Sequence, residues 1–124
     1  MATNTVAPWA ELVPGYDRPL TADDLLALPD DTWQYELIAG RLVRMPPTGM
    51  EHNDVTSTLY VPLHIFVIGR ELGLVTLPDA GFRVTQPGEE DTVLSPDIAF
   101  ISAARLVNLP APGTAERRKY FPLA

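Results

Sequence analysis

Between Met50 and Leu72 the apolar residues Val55, Leu59, Leu63, Phe66 and Val67 recur every three to four positions, whereas on both sides of that segment the recurrence is every two. The first spacing places side chains on one face of a helix, and the second places them on one face of a strand. A chain that changes period twice in this way folds as a mixed α/β (α+β) domain, with strands before and after one long helix. The helix has its acids, Glu51 and Asp54, at the N-terminal end and Arg70 at the other, as the macrodipole favours. Gly73 is placed to terminate it as the C′ residue. Pro62 lies inside, and because it removes a backbone donor and crowds the preceding turn, a kinked helix or two helices are expected.

Ahead of the helix, Trp33–Ile38 and Arg41–Met45 are strand-like runs separated by Ala39-Gly40, the spacing of a tight hairpin. Tyr35, Leu37, Leu42 and Met45 can cover a core from this hairpin. Glu36 is the carboxylate set among them, open either to a site or to pairing with Arg41 or Arg44. Before the hairpin, Thr21-Ala22-Asp23-Asp24 opens a short helix, with Thr21 as N-cap and Pro29 as terminator. Residues 1–20 contain Pro8, Pro14, Gly15 and Pro19 and read as an extended N-terminal arm to a domain spanning 21–124.

Beyond the helix, Leu74–Leu77 and Phe82–Thr85 read as strands, the second with Phe82 and Val84 inward. Gln86–Asp91 has the chemistry of a solvated turn, and its three consecutive acids lack the alternation of a calcium loop. Thr92–Ile101 is a further strand-like run interrupted by Pro96, so the strand starts or restarts at Asp97. An acid there is costly to bury unless a cation or a hydrogen-bonding partner meets it. Ser102–Leu106 reads as a helical turn and Pro110–Gly113 as flexible, and Arg117-Arg118-Lys119 is the one basic cluster.

Composition narrows the chemistry. The absence of cysteine excludes disulfides, zinc–thiolate sites and a cysteine nucleophile. A net charge of −7 opposes non-specific adhesion to nucleic acid or acidic membranes. The N-terminus lacks the pattern of a signal peptide, and the apolar segment Leu59–Ile68 is too short to span a bilayer, so a cytoplasmic protein is expected. There is no phosphate-binding glycine loop, histidine-rich metal motif or serine nucleophile elbow. Glu36, His52 and Asp97 remain, on a hairpin, at a helix start and at a strand start. Carboxylates converging from separate elements suit Mg²⁺, which prefers oxygen ligands.

Three stretches taken in order, Tyr35–Val43, then Glu51-His52-Asn53 opening a helix, then Ser95-Pro96-Asp97-Ile98, resemble the Uma-type family of putative restriction endonucleases, within the PD-(D/E)XK nuclease superfamily. The resemblance spans roughly residues 20–124. It implies a restriction-endonuclease-like mixed sheet flanked by helices and Mg²⁺-dependent (or Mn²⁺-dependent) hydrolysis of DNA. Asp97 then holds the position of the metal-binding aspartate, Glu36 that of an additional acidic site residue, and His52 that of the histidine opening the long helix. The superfamily carries a second acid, with a lysine nearby, on the following strand. Here Glu116 is the only acid after Asp97 and does not have that setting, so a domain missing its C-terminal part is expected. Such a chain would be a weak or inactive nuclease, or a catalytically dead remnant that self-associates as a homodimer or binds a partner through an open sheet edge.

Overall fold

The computed structural model describes residues 10–78, 80–107, 109–110, 113–114 and 121–122. Its class is mixed α+β, as the change of period requires. The chain divides into two compact units, the first formed by residues 1–47, 82–94 and 120–124, the second by 48–81 and 95–119.

The first unit is built on a six-stranded sheet in the order β1-β3-β2-β6-β5-β8. Its strands are β1 (Glu11–Leu12), β2 (Gln34–Ile38), β3 (Arg41–Met45), β5 (Phe82–Arg83), β6 (Val93–Leu94) and β8 (Phe121–Pro122). All pairs are antiparallel except β5 with β8, which makes the sheet mixed. The hairpin forms in the expected place, with Leu37 opposite Leu42 and Glu36 opposite Val43. Alternation sends Leu37, Leu42 and Val93 to the face covered by Leu20 and by Leu25 of α1 (Ala22–Leu26), where all five are buried. Thr21 and Asp24 form a reciprocal capping box that starts α1. Within residues 10–20, β1 pairs with β3, and Leu20 is in the core.

The hairpin turn is fixed from outside. Ala39 and Gly40 both have positive φ, 47° and 79°, as a two-residue turn between twisted strands demands. The Gly40 amide donates to the Asp91 carbonyl at 2.8 Å, and its carbonyl accepts from the Leu20 amide at 2.8 Å. The Ala39 amide donates to Thr92 Oγ1 at 3.0 Å. A Cβ at Gly40 would lie 2.8 Å from that of Pro19, so this position needs glycine for space as well as for φ.

The second unit contains α2 (Met50–Gly69), β4 (Gly73–Thr76), β7 (Ala99–Ser102) and α3 (Ala103–Leu106). β4 and β7 pair antiparallel from Gly73–Ser102 to Thr76–Ala99, and α2 and α3 both pack on β4. Three expectations change here. First, α2 is one helix of 20 residues with Pro62 inside it, not two. Pro62 and Thr58, whose carbonyl loses its helical donor, are both exposed, so water can satisfy the freed group. Second, the helix ends on Glu71 rather than Gly73. Glu71 adopts φ 52°, its amide donates to the Ile68 carbonyl at 3.1 Å, and the Leu72 amide reaches the Val67 carbonyl at 3.0 Å. Gly73 is instead needed for close approach, because a Cβ there would lie 2.0 Å from the Ile101 carbonyl oxygen. Third, the run Thr92–Ile101 is divided between two sheets, with β6 before Pro96 and β7 resuming only at Ala99. Asp97 therefore lies in the bend ahead of the strand. The basic cluster Arg117–Lys119 and residues 111–112 of Pro110–Gly113 lie outside the described residues.

Candidate functional site

His52 is the third residue of α2, in a first turn whose cap, Gly49, contributes no side chain. The amides at such an end carry partial positive charge, a favourable setting for a nearby carboxylate. Asp97 reaches it by topology. The chain reverses at the end of α2, β4 runs back along the helix, and β7 begins opposite the far end of β4, at Thr76. The residues just before β7 thereby return toward the helix start. His52 Nε2 lies 3.2 Å from Asp97 Oδ1, with the two side chains 42% and 57% exposed. More than half of the Asp97 side chain is exposed, so its carboxylate is open to a ligand from solvent.

Farther along α2 the same side of the helix carries Thr56, Tyr60 and His64, at intervals of four. Thr56 is buried and satisfies its hydroxyl by donating to the His52 carbonyl at 2.9 Å. Tyr60 and His64 stack with ring centroids 5.2 Å apart, and Tyr60 Oη lies 3.3 Å from His64 Nδ1. His64 thus packs against Tyr60.

Glu36 belongs to the first unit. It sits on β2 opposite Val43, on the sheet face away from α1, and Val43 is 2% exposed. Arg44, one of its candidate partners, is engaged elsewhere, paired with Glu11 and lying 4.4 Å over the Trp33 ring. Of the three residues singled out, the structure joins His52 and Asp97. Among the described residues no three His, Asp or Glu side chains form a group able to hold a metal ion.

Asp91 was legible only as part of a solvated acidic loop, and the structure corrects this. Its side chain is 14% exposed and accepts from the Ala22 amide at 2.7 Å, from Arg83 at 2.9 Å and from Thr85 at 3.4 Å. The Ala22 amide, with support from Arg83, holds its carboxyl below the usual range despite the opposing effect of burial. Its role is to tie α1, β5 and the hairpin turn together. No spacing rule exposes such a residue, since its partners lie 8 and 69 positions away.

Residues 22–124, carrying both the His52–Asp97 pair and Glu36, match the model of the Uma2 family, described as putative restriction endonuclease. The chain belongs to the Uma2 family. The match covers both units, so the interleaving of two sheets lies within the family domain. None of the curated proteins matches the chain. Among the described residues no helix is long and apolar enough to cross a membrane.

Proposed function

We propose that the chain carries the metal-binding half of a Mg²⁺-dependent DNA endonuclease site of the PD-(D/E)XK type, acting in the cytoplasm. The observation supporting this is the His52–Asp97 pair, formed by a helix start and the bend ahead of a strand within one unit, in a member of a family described as putative restriction endonuclease. Mg²⁺ is commonly held by one or two carboxylates together with water and substrate phosphates. One exposed carboxylate fits that pattern as a partial donor set. Asp97 would hold the ion, and Mn²⁺ suits the same donors. When bound, the ion supplies Lewis-acid polarisation of the phosphodiester and acidifies the attacking water.

His52 keeps the Asp97 carboxylate oriented by occupying Oδ1. Imidazole is a poorer Mg²⁺ ligand than carboxylate, so positioning suits it better than ligation. Glu36, on β2 of the first unit, keeps the role of additional acid that the family resemblance implies. Because no third metal-ligating side chain groups with His52 and Asp97 among the described residues, weak or absent cleavage by this chain alone is expected.

Relaxation of supercoiled plasmid in Mg²⁺ or Mn²⁺ tests the reading. Slow metal-dependent nicking, lost in Asp97→Ala, or no nicking at all is the expected result. Cleavage that persists in Asp97→Ala would remove Asp97 from the site, and robust cleavage would show the site to be complete. A second reading, a catalytically silent homodimer, is favoured by the apolar surface that α2 leaves exposed.

A further inference from the structure

The first half of α2 is anchored by one side chain. Across residues 50–59 every residue is exposed except Thr56, which is buried. The helix start adds no side-chain anchor of its own, because its cap residue is Gly49. His52 is the third residue of that start, four positions before Thr56.

Thr56 is also the residue that bonds to His52. Its hydroxyl donates to the His52 carbonyl at 2.9 Å. A buried hydroxyl without a partner is costly, so burial makes this bond compulsory. The carbonyl meets the hydroxyl only while the residues between them stay helical, and unwinding the first turn would leave the hydroxyl unpaired inside the unit. Back-bonding of this kind sets the local bend of a helix, and the stiff χ1 of threonine keeps the hydroxyl aimed at the carbonyl.

The consequence falls on the imidazole. His52 Nε2 lies 3.2 Å from Asp97 Oδ1, on the bend ahead of another element, and the two side chains are 42% and 57% exposed. An exposed ion pair contributes little by itself and does not hold its own backbone in place. Its geometry has to come from the backbone beneath it, and Thr56 fixes that backbone from the buried side.

We propose that Thr56 is a positioning residue of the site: its buried hydroxyl, tied to the His52 carbonyl, holds the first turn of α2 wound so that the imidazole meets Asp97. This deepens the reading above and rests on its His52–Asp97 pair, which can be followed without metal.

Thr56→Val keeps the shape of the side chain and removes the hydroxyl, whereas Thr56→Ser keeps the hydroxyl. The chain has two histidines, so long-range ¹H–¹⁵N correlation spectra resolve the His52 ring, with His64→Gln to assign it. Asp97→Ala supplies the spectrum of an unpaired His52. Thr56→Val should move the His52 signals toward that spectrum, and Thr56→Ser should leave them as in the wild type, with helix content by circular dichroism unchanged in both. By titration calorimetry, Mn²⁺ affinity should fall about fivefold in Thr56→Val, the scale of one neutral hydrogen bond, and recover in Thr56→Ser. A side chain that merely filled space would respond the other way, with valine harmless and serine damaging for the methyl it lacks.

His52 signals that stay in place in Thr56→Val overturn the proposal, whether or not the chain binds Mn²⁺. Signals that move as expected in a chain that binds no Mn²⁺ overturn the metal reading and leave the positioning role standing. Wild-type signals equal to those of Asp97→Ala overturn the proposal together with the pair it rests on. If Thr56→Val loses helix, Thr56→Ser against Thr56→Ala decides, since the two differ only in the hydroxyl: matching His52 signals overturn the proposal, and a shift confined to Thr56→Ala supports it.

Discussion

In the first unit Leu37 is fully buried between two neighbouring strands, and the carboxylate of Asp91 is surrounded by three donors. In the second unit the longest helix buries only Thr56 and Val67, and the carboxylate of interest, Asp97, is more than half exposed beside His52. One unit spends its polar groups on holding the fold. The other leaves a carboxylate, an imidazole and an apolar surface facing outward. Asp91 and Asp97 lie six residues apart in sequence, so the difference comes from which sheet each adjoins and not from local composition. The lesson is that an acid's role follows from its donors: three fixed donors make Asp91 a structural tie, whereas Asp97 keeps more than half of its side chain exposed to solvent.

The largest effect should come from the buried side of this contrast. Leu37→Ala should cost about 4 kcal/mol of stability by denaturant titration, because it empties a fully enclosed position. Leu59→Ala, on the exposed face of α2, should change stability by less than about 0.5 kcal/mol and act on association instead. A loss at Leu59 equal to that at Leu37 would show that α2 is covered within the chain itself.

Next in size, Gly73→Ala should cost about 3 kcal/mol, since its Cβ meets the Ile101 carbonyl and the left-handed φ of 152° disfavours alanine. The damage should centre on the β4–β7 pairing, seen as faster amide exchange in β4 than in β2. Uniform acceleration across both sheets would mean that the two units unfold as one.

The smallest effect is pH-dependent. The Asp91 carboxyl has a folded pKa below its unfolded value of about 3.9, so it binds protons more weakly in the folded state. Its contribution is complete above the unfolded value and is lost as pH falls through the lower folded one. Asp91→Asn should cost about 2 kcal/mol near neutral pH and flatten the stability loss of the wild type below about pH 4. An unchanged acid profile would show that the Ala22 and Arg83 contacts do not hold the carboxylate.

Period and punctuation carried much of the architecture. The hairpin at Ala39-Gly40, the cap at Thr21 and the helix from Met50 were readable because each depends on neighbours within a few positions. The division of Thr92–Ile101 between two sheets was not, because pairing partners on β2 and β4, 23 to 56 residues distant, decide it. Nor was the helix end. Glycine at 73 looked like a terminator, while the position that needed it was set by a carbonyl on β7. At the site, His52 was legible at a helix start, whereas Asp97 was expected to start a strand and lies in the bend before one; their juxtaposition needed the β4–β7 register. For Glu36, the register adds its strand face and its neighbour Val43.

The central claim is that Asp97, oriented by His52, holds a divalent cation. Isothermal titration with Mn²⁺ tests it directly, since it reads binding without requiring cleavage. The account predicts one weak site in the wild type, lost in Asp97→Asn and weakened several-fold in His52→Ala. Undiminished binding in Asp97→Asn, or none in the wild type, would contradict it.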